Sequence, residues 1–402
     1  MNQTRTARVN NKKTSTVMIT TRTLVERSDS ARSPSGLMSV WKNSAVAASM
    51  QTHQATLLCR RSVAPADGTQ ADRASDATTI SADGRFVIFE SFAHNLVPGP
   101  TDPHDAYLKD RVTGTVERLG SVSSGSAGSW GGSISADDRY VTFTSDAPLT
   151  GGSQGDRVFL LDRSTDAISL VSSGASAWAR FPAISGDGRH VAFLGSDALG
   201  REGAVVKDLD TGDLELVSVN NAGQRGTGVF AGDSAIPGIS FDGQVVAFNG
   251  QYCNMGLPSR FCGDGTGTYL NETWVRDRVA QTTTLASVAS DGTPASDVLE
   301  GPSLSSDGRY VVFDAGEAAS FTTACPQPGT TGGGTHVYQR DLSAGTTQQV
   351  DLIPAVQCPQ TSYPLSAQAM SADGSFVVYT SLVFDGDVSA SNPEAVFVTR
   401  LR

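Results

Sequence analysis

Short apolar segments recur along the chain, each introduced by Ser-x-Asp-Gly or a close variant. Six segments share this pattern, and they begin at Ile80, Ile134, Ile184, Ile239, Leu304 and Met370. Each indicates a strand, a tight turn and a second strand, because Asp bonds its local backbone and Gly accepts positive φ. The second strand is almost wholly apolar, so both of its faces are expected to be covered. The pattern predicts hairpins over residues 80–91, 134–145, 184–195, 239–250, 304–315 and 370–381.

The repeat continues beyond the hairpin. Successive turn aspartates lie 54, 50, 55, 65 and 66 residues apart. A third strand follows each hairpin, as in DAYLKDR from Asp105, and five copies add a fourth, as in TGDLELVSV. A period near 50 of this kind favours propeller blades over helical solenoids. The sequence therefore predicts an all-β, six-bladed propeller with four antiparallel strands per blade.

The sixth copy has no fourth strand before Arg402, whereas ATLLCRRSVAPADG from Ala55 precedes the first hairpin as a fourth strand would. We expect residues 55–62 to complete the last blade, because an open ring would leave unpaired strand edges. The propeller then occupies residues 55–402. Residues 1–54 are expected to be a polar basic tail, disordered or processed.

The Ser-x-Asp-Gly-Arg turn followed by an apolar strand resembles the WD-like repeat of TolB-type bacterial propellers. The resemblance covers about residues 55–402 and implies a propeller fold. TolB itself is implied to carry an additional α/β domain before its propeller, which the polar segment in this chain does not resemble, so TolB proper is not expected. Propellers of this kind serve as interaction platforms, accessory domains and occasionally enzymes.

Charge is divided unevenly between tail and body. Residues 1–61 hold ten Lys and Arg against Glu26 and Asp29, which leaves twenty basic residues against 39 acidic ones in the rest. An acidic body repels phosphate backbones, so nucleic acid is not an expected partner. No apolar run approaches the length of a membrane span. We expect a monomer without a membrane span.

Most motifs have a structural interpretation. The turn aspartates recur identically in six copies, which favours a turn-forming role over catalysis or calcium binding; they are Asp83, Asp137, Asp187, Asp242, Asp307 and Asp373. The Gly-x-Ser-x-Gly match at Gly151–Gly155 lacks the strand before it and the helix after it that a nucleophile elbow needs. The five histidines show no metal-ligand spacing. Neither a metal nor a cofactor is expected.

Four of the five cysteines lie in long loops. We expect two disulfides, Cys253 to Cys262 and Cys325 to Cys358, with Cys59 unpaired. Paired cysteines would indicate an oxidising compartment and hence export to the periplasm or outside, although the N-terminal segment is not a convincing signal peptide. Reduced thiols in a cytosolic protein are the alternative.

The connections opposite the Ser-x-Asp-Gly turns vary from blade to blade, and variable loops on a rigid scaffold usually carry specificity. First-strand positions seven residues before the turn aspartates should surround the channel mouth; they are Asp76, Trp130, Arg180, Ala235, Glu300 and Ser366. The candidate ligand-binding residues are Asp76, Trp130, Trp178, Arg180, Phe230, Asp233, Glu300 and Tyr363. Alternatively, Trp130 and Trp178 merely plug the channel and pack the loops.

Two functions from different classes fit this pattern. The first is a non-enzymatic propeller that binds a protein or a small polar or glycan ligand. Such a propeller could also serve as an accessory module of a cell-envelope assembly. The alternative is a propeller-based glycan lyase or hydrolase that uses Asp76, Arg180, Asp233 and Glu300. Catalysis would require acids and bases within hydrogen-bond reach of one another, which no local motif indicates.

Overall fold

A computed structural model of the chain describes the repeat region. The described residues are 71–73, 75–98, 104–120, 128–152, 155–174, 178–227, 236–256, 271–295, 298, 301–316, 335–350, 366–382 and 394–401. They form β-strands, turns and one 3₁₀ helix over Cys253–Met255, with no α-helix among them. The predicted all-β class is confirmed.

The strands form six separate antiparallel sheets, which we call blades 1 to 6, each built from consecutive strands. Blade 1 contains β1 Ser75–Ile80, β2 Phe86–Ser91, β3 Asp105–Asp110 and β4 Val116–Arg118. Blade 2 contains β5 Ser129–Ile134, β6 Tyr140–Ser145, β7 Arg157–Asp162 and β8 Ala167–Leu170. Blade 3 contains β9 Arg180–Ile184, β10 His190–Ser196, β11 Glu202–Asp208 and β12 Leu214–Leu216. Blade 4 contains β13 Gly238–Ile239, β14 Val245–Gly250, β15 Glu272–Asp277 and β16 Thr282–Leu285. Blade 5 contains β17 Ser303–Leu304, β18 Tyr310–Gly316, β19 Thr335–Asp341 and β20 Thr346–Gln349. Blade 6 contains β21 Ser366–Met370, β22 Phe376–Leu382 and β23 Glu394–Arg400.

The first strand of each blade is the innermost, since it contacts the first strand of the next blade from β1 through β21. Backbone hydrogen bonds between neighbouring Ser-x-Asp-Gly turns reinforce these contacts. The amide of Ala136 donates to the carbonyl of Gly186 at 3.0 Å, that of Phe241 to Ser306 at 2.8 Å, and that of Ser306 to Ala372 at 2.8 Å. Turns of successive blades are thereby joined at the centre of the ring.

The hydrophobic core lies between blades. Ile88 of blade 1 packs with Phe143 and Phe159 of blade 2, while Phe89 and Tyr107 on the opposite face of blade 1 are also fully buried and stack at 5.4 Å. The second strand thus buries both faces, as its unbroken apolar run predicts. Burying whole aromatic side chains at each interface supplies the main favourable term for assembling the ring.

Connections between blades protect the outer strand edges. Thr283 in the fourth strand of blade 4 donates from Oγ1 to the carbonyl of Val219, in the segment that leaves blade 3, at 2.5 Å. Thr347 in blade 5 makes the equivalent bond to Val288 at 2.5 Å. These segments cover edges that would otherwise present unpaired backbone groups.

The predicted six-bladed propeller is confirmed by these sheets, each of which contains one hairpin with a Ser-x-Asp-Gly or Ser-x-Asp-Asp turn. Five blades have four strands, and blade 6 has three among the described residues. The predicted closing strand at residues 55–62 and the tail at residues 1–54 lie outside the described residues, so both stay predictions.

Candidate functional site

The ring has two ends that differ in chemistry. We call the end with the Ser-x-Asp-Gly turns and the third-to-fourth strand turns the turn face. The opposite end, where second strands lead to third strands and each blade leads to the next, is the loop face. A site should lie where side chains are not already engaged by the repeat itself.

The turn face carries the same side-chain network in every blade. Each motif serine donates from Oγ to the motif aspartate at 2.5 to 2.7 Å; the pairs are Ser81–Asp83, Ser135–Asp137, Ser185–Asp187, Ser240–Asp242, Ser305–Asp307 and Ser371–Asp373. The same Oγ accepts the amide five residues later, and the carboxylate accepts the amide two residues later. These contacts hold the hairpin turns.

Arginines following the motif add ion pairs to this face. Arg85 binds Asp110 at 2.7 Å, and Arg309 binds Asp341 at 2.6 Å, at the ends of their third strands. Hydrogen bonds from these guanidinium groups hold the pKa of both carboxyls well below the ordinary value. Ser371 in turn lowers the pKa of Asp373 to about 2. These carboxylates are committed to turns and local pairs.

At the loop face, the innermost strands of four blades bulge at the same place. Trp130 and Arg180 lie immediately before the bulge, and Asp76 and Ser366 lie one residue earlier. Each of the four pairs with the residue seven positions after the turn aspartate. These four residues form what we call the mouth ring. Bulges turn strands and re-aim side chains, and they are over-represented near active sites.

The bulge of blade 3 contains a backbone strain that fixes Arg180. Phe181 has φ of 56°, a left-handed conformation that is unusual for a bulky residue. Its amide donates to Thr144 Oγ1 of blade 2 at 3.2 Å, and its ring packs against the core between blades 3 and 4. The backbone beside Arg180 is therefore held from both neighbouring blades.

Arg180 forms an ion pair across a blade boundary. Its Nε and Nη2 both donate to Oδ2 of Asp156, the residue before the third strand of blade 2. About a third of the Arg180 side chain is exposed, against 15% for Asp156. The carbonyl of Asp156 also accepts the amide of Ala179 at 2.9 Å. The guanidinium is thus positioned by a fixed carboxylate and still reaches solvent.

The equivalent place between blades 1 and 2 holds a histidine and a carboxylate. Nε2 of His104, the residue before the third strand of blade 1, lies 3.0 Å from Oε2 of Glu90. Oε1 of Glu90 accepts the amide of Gly131, next to Trp130, at 2.6 Å. Phe92 stacks on the imidazole, with ring centroids 4.4 Å apart.

Glu90, Phe92, His104 and Asp156 are not among the residues that the sequence pattern selects. Counting seven residues after the turn aspartate, as Asp76 was found by counting seven before it, would have selected Glu90. His104 and Asp156 share the position before the third strand, a signal that is visible only once those strands are aligned. Phe92 carries no sequence signal beyond following a strand.

The two tryptophans differ. Trp178 packs against the core between blades 3 and 4 and donates from Nε1 to Glu202 at 3.2 Å, which favours a loop-packing role. Trp130 lies in the mouth ring and is half-buried. Four other candidates lie outside the described residues and stay predictions; they are Phe230, Asp233, Glu300 and Tyr363.

Cys253 begins the 3₁₀ helix and is half-buried. Its expected partner Cys262 and the expected pair Cys325 and Cys358 lie outside the described residues, so both disulfides stay predictions. Within the described ranges no group of three or more His, Cys, Asp or Glu side chains is arranged to hold a metal ion. Nor does that part of the chain contain a helix long and apolar enough to cross a bilayer.

Comparisons with known proteins give fold likeness only. No family model matches the chain, and no curated protein matches it. Similar solved structures include TolB from Acinetobacter baumannii, with 14% identity and a TM-score of 0.43 over 74% of this chain and 57% of that one. The propeller domain of the Trilobed protease from Pyrococcus furiosus has 10% identity and a TM-score of 0.45 over 82% of this chain and 84% of that one. Oligogalacturonate lyase from Vibrio parahaemolyticus has 12% identity and a TM-score of 0.38 over 81% of this chain and 89% of that one. These likenesses are weak, and the six blades are established by the sheets of the chain itself.

Proposed function

We propose that this propeller is a non-enzymatic binding module that holds a polar ligand at the mouth ring of its loop face. The observation that carries the proposal is the contrast between the two ends of the ring. The motif Ser and Asp of the turn face repeat in every blade and serve the turns, whereas the mouth-ring positions carry a different residue in each blade. Side chains that vary on a rigid repeat are suited to recognition.

The energetics of the ion pairs agree with this role. Arg180 and Asp156 form a partly exposed ion pair, and such a pair contributes about 0 to 1 kcal/mol to folding. The contact between His104 and Glu90 is partly exposed as well. Both pairs are nevertheless pre-organised by backbone contacts from the next blade, which reduces the entropy cost of binding. Their arrangement beside Trp130 supplies both hydrogen-bonding groups and an aromatic surface.

The test uses the full chain against two probes, an immobilised oligosaccharide array and a random peptide display library. We expect Trp130→Ala and Arg180→Gln each to weaken retention on the bound probe at least tenfold with little change in Tm. The matched control is Arg309→Gln with Asp341→Asn on the turn face, which should keep full binding. Failure to retain any probe, or equal losses in mouth and turn-face variants, would contradict the proposal.

A second candidate, a glycoside hydrolase, is favoured by one observation. Asp76 is the cross-strand partner of Glu90, which pairs with His104. Glycoside hydrolases act with a pair of carboxyl groups. Release of reducing ends from soluble polysaccharides, abolished by Glu90→Gln, would establish this activity; no release by the wild-type chain would exclude it for those substrates.

We also propose that the protein is exported, on the strength of the expected pairs Cys253–Cys262 and Cys325–Cys358. In the exported protein, these two disulfides would constrain the long loops of blades 4 and 5 on the loop face. Mass spectrometry of alkylated native protein should show one free thiol, that of Cys59. Five alkylated thiols would contradict both the pairing and the argument for export.

A further inference from the structure

The corner of blade 1 on the loop face exposes an aromatic ring that the fold does not use. Phe92 follows β2 directly and leaves 42% of its surface exposed. Its ring stacks on His104 at an interplanar angle of 18°. We call Glu90, Phe92 and His104 the blade 1 corner. An exposed aromatic beside fixed polar groups on a variable face indicates a contact surface.

The polar groups of the corner are fixed from two blades. Glu90 is anchored through Oε1 by the amide of Gly131 in blade 2 and faces His104 through Oε2. His104 is anchored through its carbonyl, which accepts the amide of Ser129 at 3.2 Å. Only a fifth of the Glu90 side chain and a third of the His104 side chain are exposed. A carboxylate and an imidazole held in this way offer an acceptor and a donor or acceptor at fixed positions.

The two histidines near the corner each lie beside a carboxylate. His104 lies against Glu90, and His94 lies 3.5 Å from Asp72, whose Oδ1 accepts the His94 amide at 2.8 Å. The body of the chain is acidic as well, with twenty basic residues against 39 acidic ones after residue 61. An anionic ligand would therefore meet net repulsion here.

These features match one chemical class. A pyranose ring has an apolar face of C–H bonds, which packs on aromatic rings, and an edge of hydroxyls, which bond to carboxylates and imidazoles. We propose that the blade 1 corner is a subsite for a neutral sugar unit of a glycan, with Phe92 packing on the ring face and Glu90 and His104 binding hydroxyls. This inference rests on the proposed binding function. Trp130, joined to the corner through Gly131 and Glu90, provides the next aromatic contact along the mouth ring.

The experiment measures binding of the full chain by calorimetry to three neutral hexasaccharides, namely maltohexaose, cellohexaose and hexa-N-acetylchitohexaose, and to the anionic hexagalacturonate. We expect at least one neutral sugar to bind, with hexagalacturonate at least tenfold weaker. Phe92→Ala should weaken the neutral sugar at least tenfold, and Glu90→Gln about three- to tenfold, both without a fall in Tm. Phe241→Ala is the matched control, because Phe241 is a similarly exposed aromatic (47%) on the turn face.

Two results would overturn the subsite. One is tighter binding of hexagalacturonate than of every neutral sugar, and the other is unchanged affinity in Phe92→Ala. If no sugar binds but a peptide probe is lost with Trp130→Ala and Arg180→Gln, the sugar subsite is wrong and the binding function stands. If Phe241→Ala weakened sugar binding as much as Phe92→Ala, the effect would not be specific to the blade 1 corner, and the subsite would also be wrong.

Discussion

The two ends of this propeller use the same kinds of side chain for different purposes. On the turn face, Asp307 accepts from Ser305 at 2.6 Å and from the amide of Arg309 at 3.0 Å, and the other five blades repeat this arrangement. On the loop face, Asp156 binds Arg180 and Glu90 binds His104, at places where other blades carry other residues. Repetition marks the first end as scaffold, and variation marks the second as the place for recognition.

The comparison teaches how to weigh an acidic residue in a repeat protein. A carboxylate that occurs at one register position in every repeat should affect folding, because its partners are the backbone and the motif itself. A carboxylate that occurs in one blade should affect binding more than folding, because a partly exposed ion pair contributes little stability. The predictions below test that separation.

Acidification should have the largest effect, because it acts on all blades together. Folded-state pKa values of Asp110, Asp341 and Asp373 lie below the ordinary 3.8, to about 2 for Asp373. Groups with lowered pKa stabilise the fold fully above the unfolded value and lose that contribution as pH falls through the folded value. Tm should be level above pH 5 and fall steeply between pH 4 and 2. The double variant Arg309→Gln with Asp341→Asn should show a shallower fall; an equal fall would contradict the assignment.

Gly308→Ala should lower stability more than the substitutions of Ser305, Asp138 and Arg180. Gly308 has φ of 68°, and a Cβ there would lie 2.7 Å from Val245 of the neighbouring blade. Left-handed strain of about 1 to 2 kcal/mol and crowding of about 1 to 3 kcal/mol should add. The control is Gly212→Ala, where φ is 80° and no atom lies within 4 Å. If Gly308→Ala and Gly212→Ala lowered the free energy of unfolding in urea equally, the contact between blades would contribute nothing at this turn.

Ser305→Ala should cost about 1 to 3 kcal/mol, because it leaves the buried amide of Tyr310 without its side-chain acceptor and removes the donor to Asp307. Ser343→Ala is the control on the same face. Ser343 donates to Asp341 at 2.8 Å in an exposed turn, so its loss should cost under about 1 kcal/mol. The comparison uses chemical unfolding at pH 7; a larger loss at Ser343 would reverse our ranking of the two turns.

Asp138→Gly should stabilise the protein by about 1 kcal/mol. Asp138 has φ of 62° at the turn position that is glycine in the other five blades, and glycine adopts this conformation without strain. Burial also raises the pKa of its carboxyl. Asp138→Asn separates the two effects, since it removes the charge and keeps a side chain that tolerates this φ. A lower Tm for the glycine variant would reveal a role for the Asp138 carboxylate.

Arg180→Gln should have the smallest effect on folding, a loss below about 1 kcal/mol, since the pair with Asp156 is partly exposed. The same change should weaken ligand binding at least tenfold. Circular dichroism melts and binding on the same preparations provide both values. A large fall in Tm with intact binding would place Arg180 in the scaffold and blur the distinction between the two faces.

The scaffold could be predicted from the sequence because its signals are local and repeated. Each Ser-x-Asp-Gly turn is closed by contacts within about five residues, as Ser371 shows with Asp373 and the amide of Phe376. The unbroken apolar run of the second strand predicts that both of its faces are buried, as they are in Phe86–Ser91. Six copies of one local pattern therefore determined blade number, strand order and the positions of the hairpins.

The chemistry of the loop face was decided by tertiary structure. Glu90 and His104 are fourteen residues apart, and Asp156 and Arg180 come from different blades, so no short motif joins either pair. At each pair the next blade also supplies an amide, from Gly131 to the carboxylate of Glu90 and from Ala179 to the main-chain carbonyl of Asp156. Sequence determines what each blade is, because its turns are local. Only packing of one blade on the next determines which side chains meet at the mouth.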